Sequence, residues 1–205
     1  MFDPIALTRR LVDIESITGN ELPVSLELES ILKDLATRFD GRVERIPVEP
    51  KRDNLFCTFG DPCVTLSTHM DTVPPFFASS EDDEFIHGRG ACDVKGIIAA
   101  MLTAAEHLLT EDQRNFALLF VVGEERNSVG AYHAGKHPMG NHHFIINGEP
   151  TENRLALGSK GALRIELTAK GRMAHSAYPD LGESAIEKLL DALQKLRQLQ
   201  LRQSC

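Results

Sequence analysis

A histidine and four carboxylates stand in this 205-residue chain at places where short apolar runs stop. Residues 64–66 lead into Ser67-Thr68-His69-Met70-Asp71, and 117–122 into Gly123-Glu124-Glu125. Residues 144–146 lead into Asn147-Gly148-Glu149-Pro150. Between the first two lies Gly88-Arg89-Gly90-Ala91-Cys92-Asp93-Val94-Lys95-Gly96, which reads as a tight turn opening a helix. Imidazole nitrogen and carboxylate oxygen are zinc ligands, and a catalytic zinc keeps one position for water. Two ions roughly 3.5–4 Å apart can clamp a hydrolytic reaction and lower the pKa of water to about 7. A neighbouring carboxylate that does not ligate can then take the proton. The pattern points to a two-metal hydrolytic centre.

Taken singly, each residue has an everyday reading. His69 suits a satisfied core histidine, and Asp71 a turn or cap. Asp93 suits the cap of a helix from Val94, the Glu124-Glu125 pair a solvated surface, and Glu149 before Pro150 a turn. Their joint placement at the ends of separate elements favours the metal. Asp71 is also placed to accept the second N–H of His69 and so orient it, a common arrangement around ligand histidines. Cys92 reads as a small filler beside Asp93 before it reads as a thiolate ligand. His133, His137, His142 and His143 read as surface helix and loop.

The elements that must hold these residues follow from periodicity. Asp3-Pro4 is an N-cap followed by proline at the first helical position. Apolar residues then recur at Ile5, Leu7, Leu11, Val12 and Ile14, as in a short amphipathic helix, until Thr18-Gly19-Asn20 breaks the run. Val24, Leu28, Ile31, Leu32 and Leu35 mark a second helix, and 43–48 and 54–59 read as strands. Pro74-Pro75 and the acidic run 81–84 mark an exposed hairpin loop. Ile97, Ile98, Met101, Leu102, Ala105 and Leu109 give one apolar face to a helix over 94–109. Residues 116–122 and 142–146 are apolar strands, with a weak helix at 130–135 between them. The alternation predicts an α/β fold: a mostly parallel sheet with helices on both faces. In such sheets ligands gather outside the carboxyl ends of the strands, where His69, Glu124, Glu125 and Glu149 fall.

The pattern changes near Gly158. Residues 163–168 alternate strictly, 171–182 read as a loop, and 183–201 as a helix whose inner face carries Ile186, Leu189, Leu190, Leu193 and Leu196. This predicts two domains, 1–157 and 158–205, the second being the start of a small α+β domain. One strand and one helix cannot bury a core alone. The second domain is therefore expected to be incomplete, as a fragment or as a unit needing a partner chain.

The net charge of −8 disfavours nucleic acid or an anionic membrane as partner. No apolar run reaches the length of a membrane span, and the N-terminus lacks the pattern of a signal peptide. Four cysteines without a CxxC pair read as reduced thiols. The expectation is a cytoplasmic protein with no nucleic-acid or membrane partner.

The segments Ser67–Pro74, Gly88–Gly96, Gly123-Glu124-Glu125 and Gly148-Glu149-Pro150-Thr151 together resemble the motifs of the M20 metallopeptidase family. Within it they most resemble the acetylornithine deacetylase and succinyl-diaminopimelate desuccinylase branch. The resemblance implies a zinc-exopeptidase-like catalytic domain and a ferredoxin-like lid that mediates homodimerisation. It implies two divalent metal ions, zinc first, with cobalt or manganese as alternatives. His69 would bind one ion, Asp93 would bridge both, and Glu125 and Glu149 would complete the ligands. Glu124 would be the general base and Asp71 would orient His69. A cis peptide is expected after Asp93. The segment 171–179 resembles the family's lid, whose histidine, here His175, would stabilise the oxyanion across a dimer interface.

The implied function is hydrolysis of the amide bond of N-acyl amino acids by metal-activated water. A dipeptidase or aminopeptidase of the same family is the alternative substrate class. Family members are longer and supply a late histidine to the second metal, and none follows His175 here. The chain by itself is therefore also read as a catalytically incomplete metal-binding or dimerising fragment.

Overall fold

The computed structural model describes residues 1–138, 140, 143–159, 161 and 163–199. They divide into two compact units, Met1–Leu155 and Ala156–Cys205. His142, Cys205 and the end of the helix expected over 183–201 lie outside the described residues.

The first unit opens with helix α1 (Pro4–Val12), capped by the Asp3 carboxylate, which accepts the amides of Ile5 and Ala6. Helix α2 (Leu22–Phe39) buries Val24, Leu28, Ile31, Leu32 and Leu35, and Asp40 in the left-handed region ends it. Strands β1 (Gly41–Glu49), β2 (Arg52–Phe59) and β3 (Val64–His69) follow. The loop after β3 carries a small hairpin of β4 (Ser80–Glu81) and β5 (Ile86–His87). Residues 91–95 form an irregular turn with Asp93 extended (φ −120°, ψ 91°), and the Asp93–Val94 peptide is cis. Helix α3 (Gly96–Thr110) therefore begins two residues later than periodicity suggests. Next come β6 (Phe116–Val121), the short helices α4 (Glu124–Asn127) and α5 (Val129–Ala134), and β7 (Phe144–Asn147).

The sheet order is β1-β2-β6-β3-β7. The β3–β6 and β3–β7 pairs are parallel, while β2 runs against both β1 and β6. Four of the five strands thus point the same way, the mostly parallel sheet expected from the apolar runs.

The central strand β6 is buried along its whole length, and its side chains sort by the strand's period of two. Leu118, Phe120 and Val122 join Leu11, Leu28, Leu32, Ile98 and Leu102 under α1, α2 and α3. Ala117, Leu119 and Val121 join Ile46, Phe56 and Ala134 under α5 on the other face. Helices therefore cover both faces. Strand β7 differs from expectation, since Phe144, Ile145 and Ile146 are exposed despite their apolar character. It is the edge strand, so among the described residues it has neighbours on one side only.

In the second unit the strand expected over 163–168 is not formed. A strand needs a hydrogen-bonding neighbour, and 163–168 joins no sheet among the described residues. Arg172 and Glu183 exchange backbone hydrogen bonds of 2.9 and 2.8 Å and close the expected loop. Helix α6 (Ala185–Arg197) starts from Ser184, whose hydroxyl accepts the Glu187 amide at 3.1 Å. Ile186, Leu190, Leu193 and Leu196 mark its apolar side, and all four are exposed. No helix among the described residues is long and apolar enough to cross a membrane.

Candidate metal centre

The register of the parallel strands gathers the chemistry. His69 closes β3 opposite Val121 of β6, and the Met70 amide donates to the Val121 carbonyl at 2.9 Å. Ser67 lies opposite Asn147 of β7, and the Gly148 amide donates to the Ser67 carbonyl at 2.8 Å. The Thr68 hydroxyl donates to the Gly148 carbonyl at 2.7 Å and holds the next turn in place. Three strands therefore release their chains at one rim of the sheet.

Gly123 makes the exit from β6 possible. Its φ of +72° is left-handed, and a Cβ there would meet Val129 Cγ1 at 2.8 Å and Arg52 Nη2 at 2.9 Å. Glu124 and Glu125 follow at once as the first residues of α4.

The His69 imidazole is 1% exposed, and its Nε2 edge faces the carboxylates. Asp93 Oδ1 lies 3.0 Å from Nε2, and Glu124 Oε2 and Glu149 Oε2 each lie 3.9 Å from it. His69, Asp93 and Glu125 offer ligand atoms within 4.8 Å of one another. One nitrogen and several carboxylate oxygens, buried behind and open in front, make a donor set suited to zinc. Four carboxylates this close also repel one another unless a cation sits among them. Divalent ions fit these residues on both counts.

The groups respond to this crowding. Burial alone would lower the His69 pKa, but Asp71 and Asp93 outweigh it and hold the imidazole at about 10. Burial raises the carboxyl groups of Glu125 and Glu149, and neighbouring carboxylates add to the effect. Asp71 is fully buried, which would raise it, yet its hydrogen bonds leave it below the usual carboxylate value.

Those bonds assign Asp71 a second contact set beyond the one sequence suggests. His69 Nδ1 lies 2.9 Å from the Asp71 backbone carbonyl and 3.5 Å from its carboxylate. The carboxylate instead accepts the Glu124 amide at 2.9 Å, the Glu125 amide at 3.2 Å and the Thr18 hydroxyl at 2.7 Å. A cleft of about 400 Å³ opens beside the cluster and is lined by His69, Glu124 and Glu149 together with Ser128, Ala131 and Ile145. A second, more apolar groove of about 800 Å³ runs past Glu149 between Ile97, Met101 and Ile146.

The profile of peptidase family M20/M25/M40 matches residues 65–204. The chain belongs to this family. It is 39% identical over 199 residues to a peptidase M20 domain-containing protein of Schizosaccharomyces pombe, covering 94% of this chain and 49% of that protein. It is 37% identical over 223 residues to a protein of Talaromyces marneffei described as a probable carboxypeptidase, with coverage of 94% and 49%. A tripeptidase of Staphylococcus aureus shares the fold at a TM-score of 0.69 and 24% identity, over 93% of this chain and 55% of that one. This M20 chain spans about half the length of the curated relatives it matches.

The first unit of the M20 chain brings together His69, Asp71, Asp93, Glu124, Glu125 and Glu149. His175 belongs to the second unit. It is exposed, with its ring nitrogen accepting the Ala177 amide at 3.1 Å. Among the other histidines, His137 pairs with Glu44 at 3.2 Å, away from the rim. Cys57, Cys63 and Cys92 are free thiols.

Sequence reasoning missed three supporting side chains. Asn54 is buried, donating to the Gly130 carbonyl and accepting the Val122 amide at the mouth of β6. Lys95 is buried and donates to the Ile14 carbonyl at 2.5 Å. Thr18 reads in sequence only as part of a helix stop. Lys95 is fully buried, which is rare for a lysine, and only the structure reveals that burial.

Proposed function

We propose that this chain is the metal-binding part of a two-metal peptidase that cleaves the amide bond on the amino side of a free-carboxylate amino acid. His69, Asp93, Glu125 and Glu149 would hold the ions. Bound there, divalent ions supply Lewis-acid activation of water and of the scissile carbonyl. Glu124 is the base: its carboxylate takes a proton from the attacking water and delivers it to the leaving amine. The observation that carries this is the position of His69 Nε2, with Asp93 at 3.0 Å and Glu124 and Glu149 both at 3.9 Å.

The bond named covers two substrate classes. A carboxypeptidase, as the relative from T. marneffei is described, frees a C-terminal amino acid. A deacylase of the acetylornithine or succinyl-diaminopimelate type frees an amino acid from an acyl group. Both break an amide next to a carbonyl and release an amine bearing an α-carboxylate. The motifs at the rim favour the deacylase branch and the relatives' names favour the peptidase. The second unit would serve as lid and dimer contact, with His175 donating to the developing oxyanion.

The full-length protein, loaded with zinc, should be assayed on acetylornithine, succinyl-diaminopimelate, N-blocked dipeptides and free dipeptides. Release of amino acid from any of the first three supports the reading, while cleavage of free dipeptides alone narrows the same bond chemistry to a dipeptidase. Glu124→Gln should abolish turnover while keeping the metal content, and retained turnover removes Glu124 as base. A wild-type chain that holds no divalent ion sinks the proposal.

A further inference from the structure

Helix α4 holds Glu124 and Glu125 in its first turn but is only four residues long, Glu124–Asn127. A helix that short does not stabilise itself. The direction of its first residues depends on whatever accepts their amides, and that acceptor is the Asp71 carboxylate. Oδ1 takes the Glu124 amide. Oδ2 takes the Glu125 amide at 3.2 Å and the Thr18 hydroxyl at 2.7 Å. The torsion that turns a carboxylate about its Cβ–Cγ bond is soft and broad. Two amides from one four-residue turn can shift together with that turn, whereas a short bond from a separate, anchored segment holds the carboxylate in place.

Thr18 is such a segment. Its own amide donates to the Thr72 carbonyl at 3.1 Å, and the Thr72 amide donates back to the Ser16 carbonyl at 2.9 Å. Ile17 and Thr72 thus form a parallel bridge just beyond Asp71. Two residues beyond Asp93, the buried Lys95 grips the same loop through the Ile14 carbonyl. The loop between α1 and α2 is tied to the exits of two elements that carry candidate ligands.

We infer that Thr18 is a positioning residue of the metal centre: its hydroxyl locks the Asp71 carboxylate against the amides of Glu124 and Glu125 and so sets the aim of both glutamates. The consequence for metal binding rests on the function proposed above; the brace itself does not.

Amide hydrogen exchange in the metal-free 205-residue chain tests the brace directly. Thr18→Val keeps the shape and removes the donor. The Glu124 and Glu125 amides should then exchange on the order of tenfold faster, while amides inside β6 keep their wild-type rates. Thr18→Ser restores the donor and should restore slow exchange at both positions. Zinc affinity, measured by competition with a chelating dye, should fall roughly 10–100-fold in Thr18→Val and recover in Thr18→Ser. Unchanged exchange at Glu124 and Glu125 overturns the inference, and so does faster exchange spread evenly through β6, which reports general loosening. If Thr18→Val does not fold, Thr18→Ala gives the same comparison. A wild-type chain that binds no zinc defeats the metal reading, and exchange still decides the brace.

Discussion

The Asp71 carboxylate accepts the backbone amide of Glu124 at 2.9 Å, joining the exit of β3 to the turn that follows β6. The strand that carries the proposed ligand His69 and the turn that carries the proposed base are thereby held by one buried acid. The coupling explains why Asp71 is fully buried and ionised beneath a cluster of other carboxylates: it is satisfied by donors rather than by a cation.

Removing that acid should cost more than one ordinary hydrogen bond. Asp71→Ala leaves the Thr18 hydroxyl and the Glu124 and Glu125 amides without their acceptor. Unpaired buried donors cost about 1–3 kcal/mol each and overlap in effect, so a loss of about 3 kcal/mol is expected. Urea unfolding of the metal-free chain measures it, and a loss below about 1 kcal/mol would contradict the role given to the carboxylate.

Zinc must compete with a proton at His69. The metal-free imidazole is raised from 6.5 to about 10, burial opposing the shift and Asp71 and Asp93 driving it. Its protonation therefore stabilises the metal-free fold fully below 6.5, and that contribution is lost as pH rises through about 10. At pH 7 zinc binding should release about one proton from His69, and affinity should rise with pH. Calorimetry in buffers of different ionisation heat reads the proton count, and a count of zero would show that the metal-free imidazole is already neutral at pH 7.

Away from the site, acid sensitivity should have an identifiable source in Glu29. The hydrogen bond from Arg45, aided by Lys33, lowers its pKa from 4.5 to about 2 against the opposing effect of burial. Because the folded value is depressed, the stabilisation is complete above 4.5 and disappears as pH falls through about 2. Melting temperatures between pH 6 and pH 2 should fall less steeply in Glu29→Gln than in the wild type. Parallel curves would show that the pair contributes nothing measurable.

Gly123→Ala tests the turn that aims the glutamates. Alanine at a φ of +72° is strained, and its Cβ would press on Val129 at 2.8 Å. A loss of about 1–2 kcal/mol in unfolding free energy is expected, together with weaker zinc binding. Stability and affinity equal to wild type would show that the turn tolerates a side chain.

Much of this architecture is visible in the chain as written. The runs 64–66, 116–122 and 144–146 are apolar without alternation, as strands of a covered parallel sheet are. Each ends in His69, Glu124 or Glu149, so their convergence at one rim follows from the fold class alone. The helices α1, α2 and α3 carry plain 3.6-residue periodicity. The run 163–168 shows where such reading stops. Its alternation is that of a strand, yet a strand exists only with a neighbour, and periodicity does not say whether one is present. Exposure of β7 is a similar case, because being an edge strand is a property of the whole sheet.

The sequence by itself offered the candidate donors and the kinds of element that carry them, since these depend on residue type and local period. Tertiary structure decided how the set is aimed. Thr18 and Asp71 are 53 residues apart, and Asp71 and Glu124 another 53. A hydrogen bond between such residues has no local pattern to announce it; it exists only because the α1–α2 loop, the β3 exit and the β6 turn meet at one point in space.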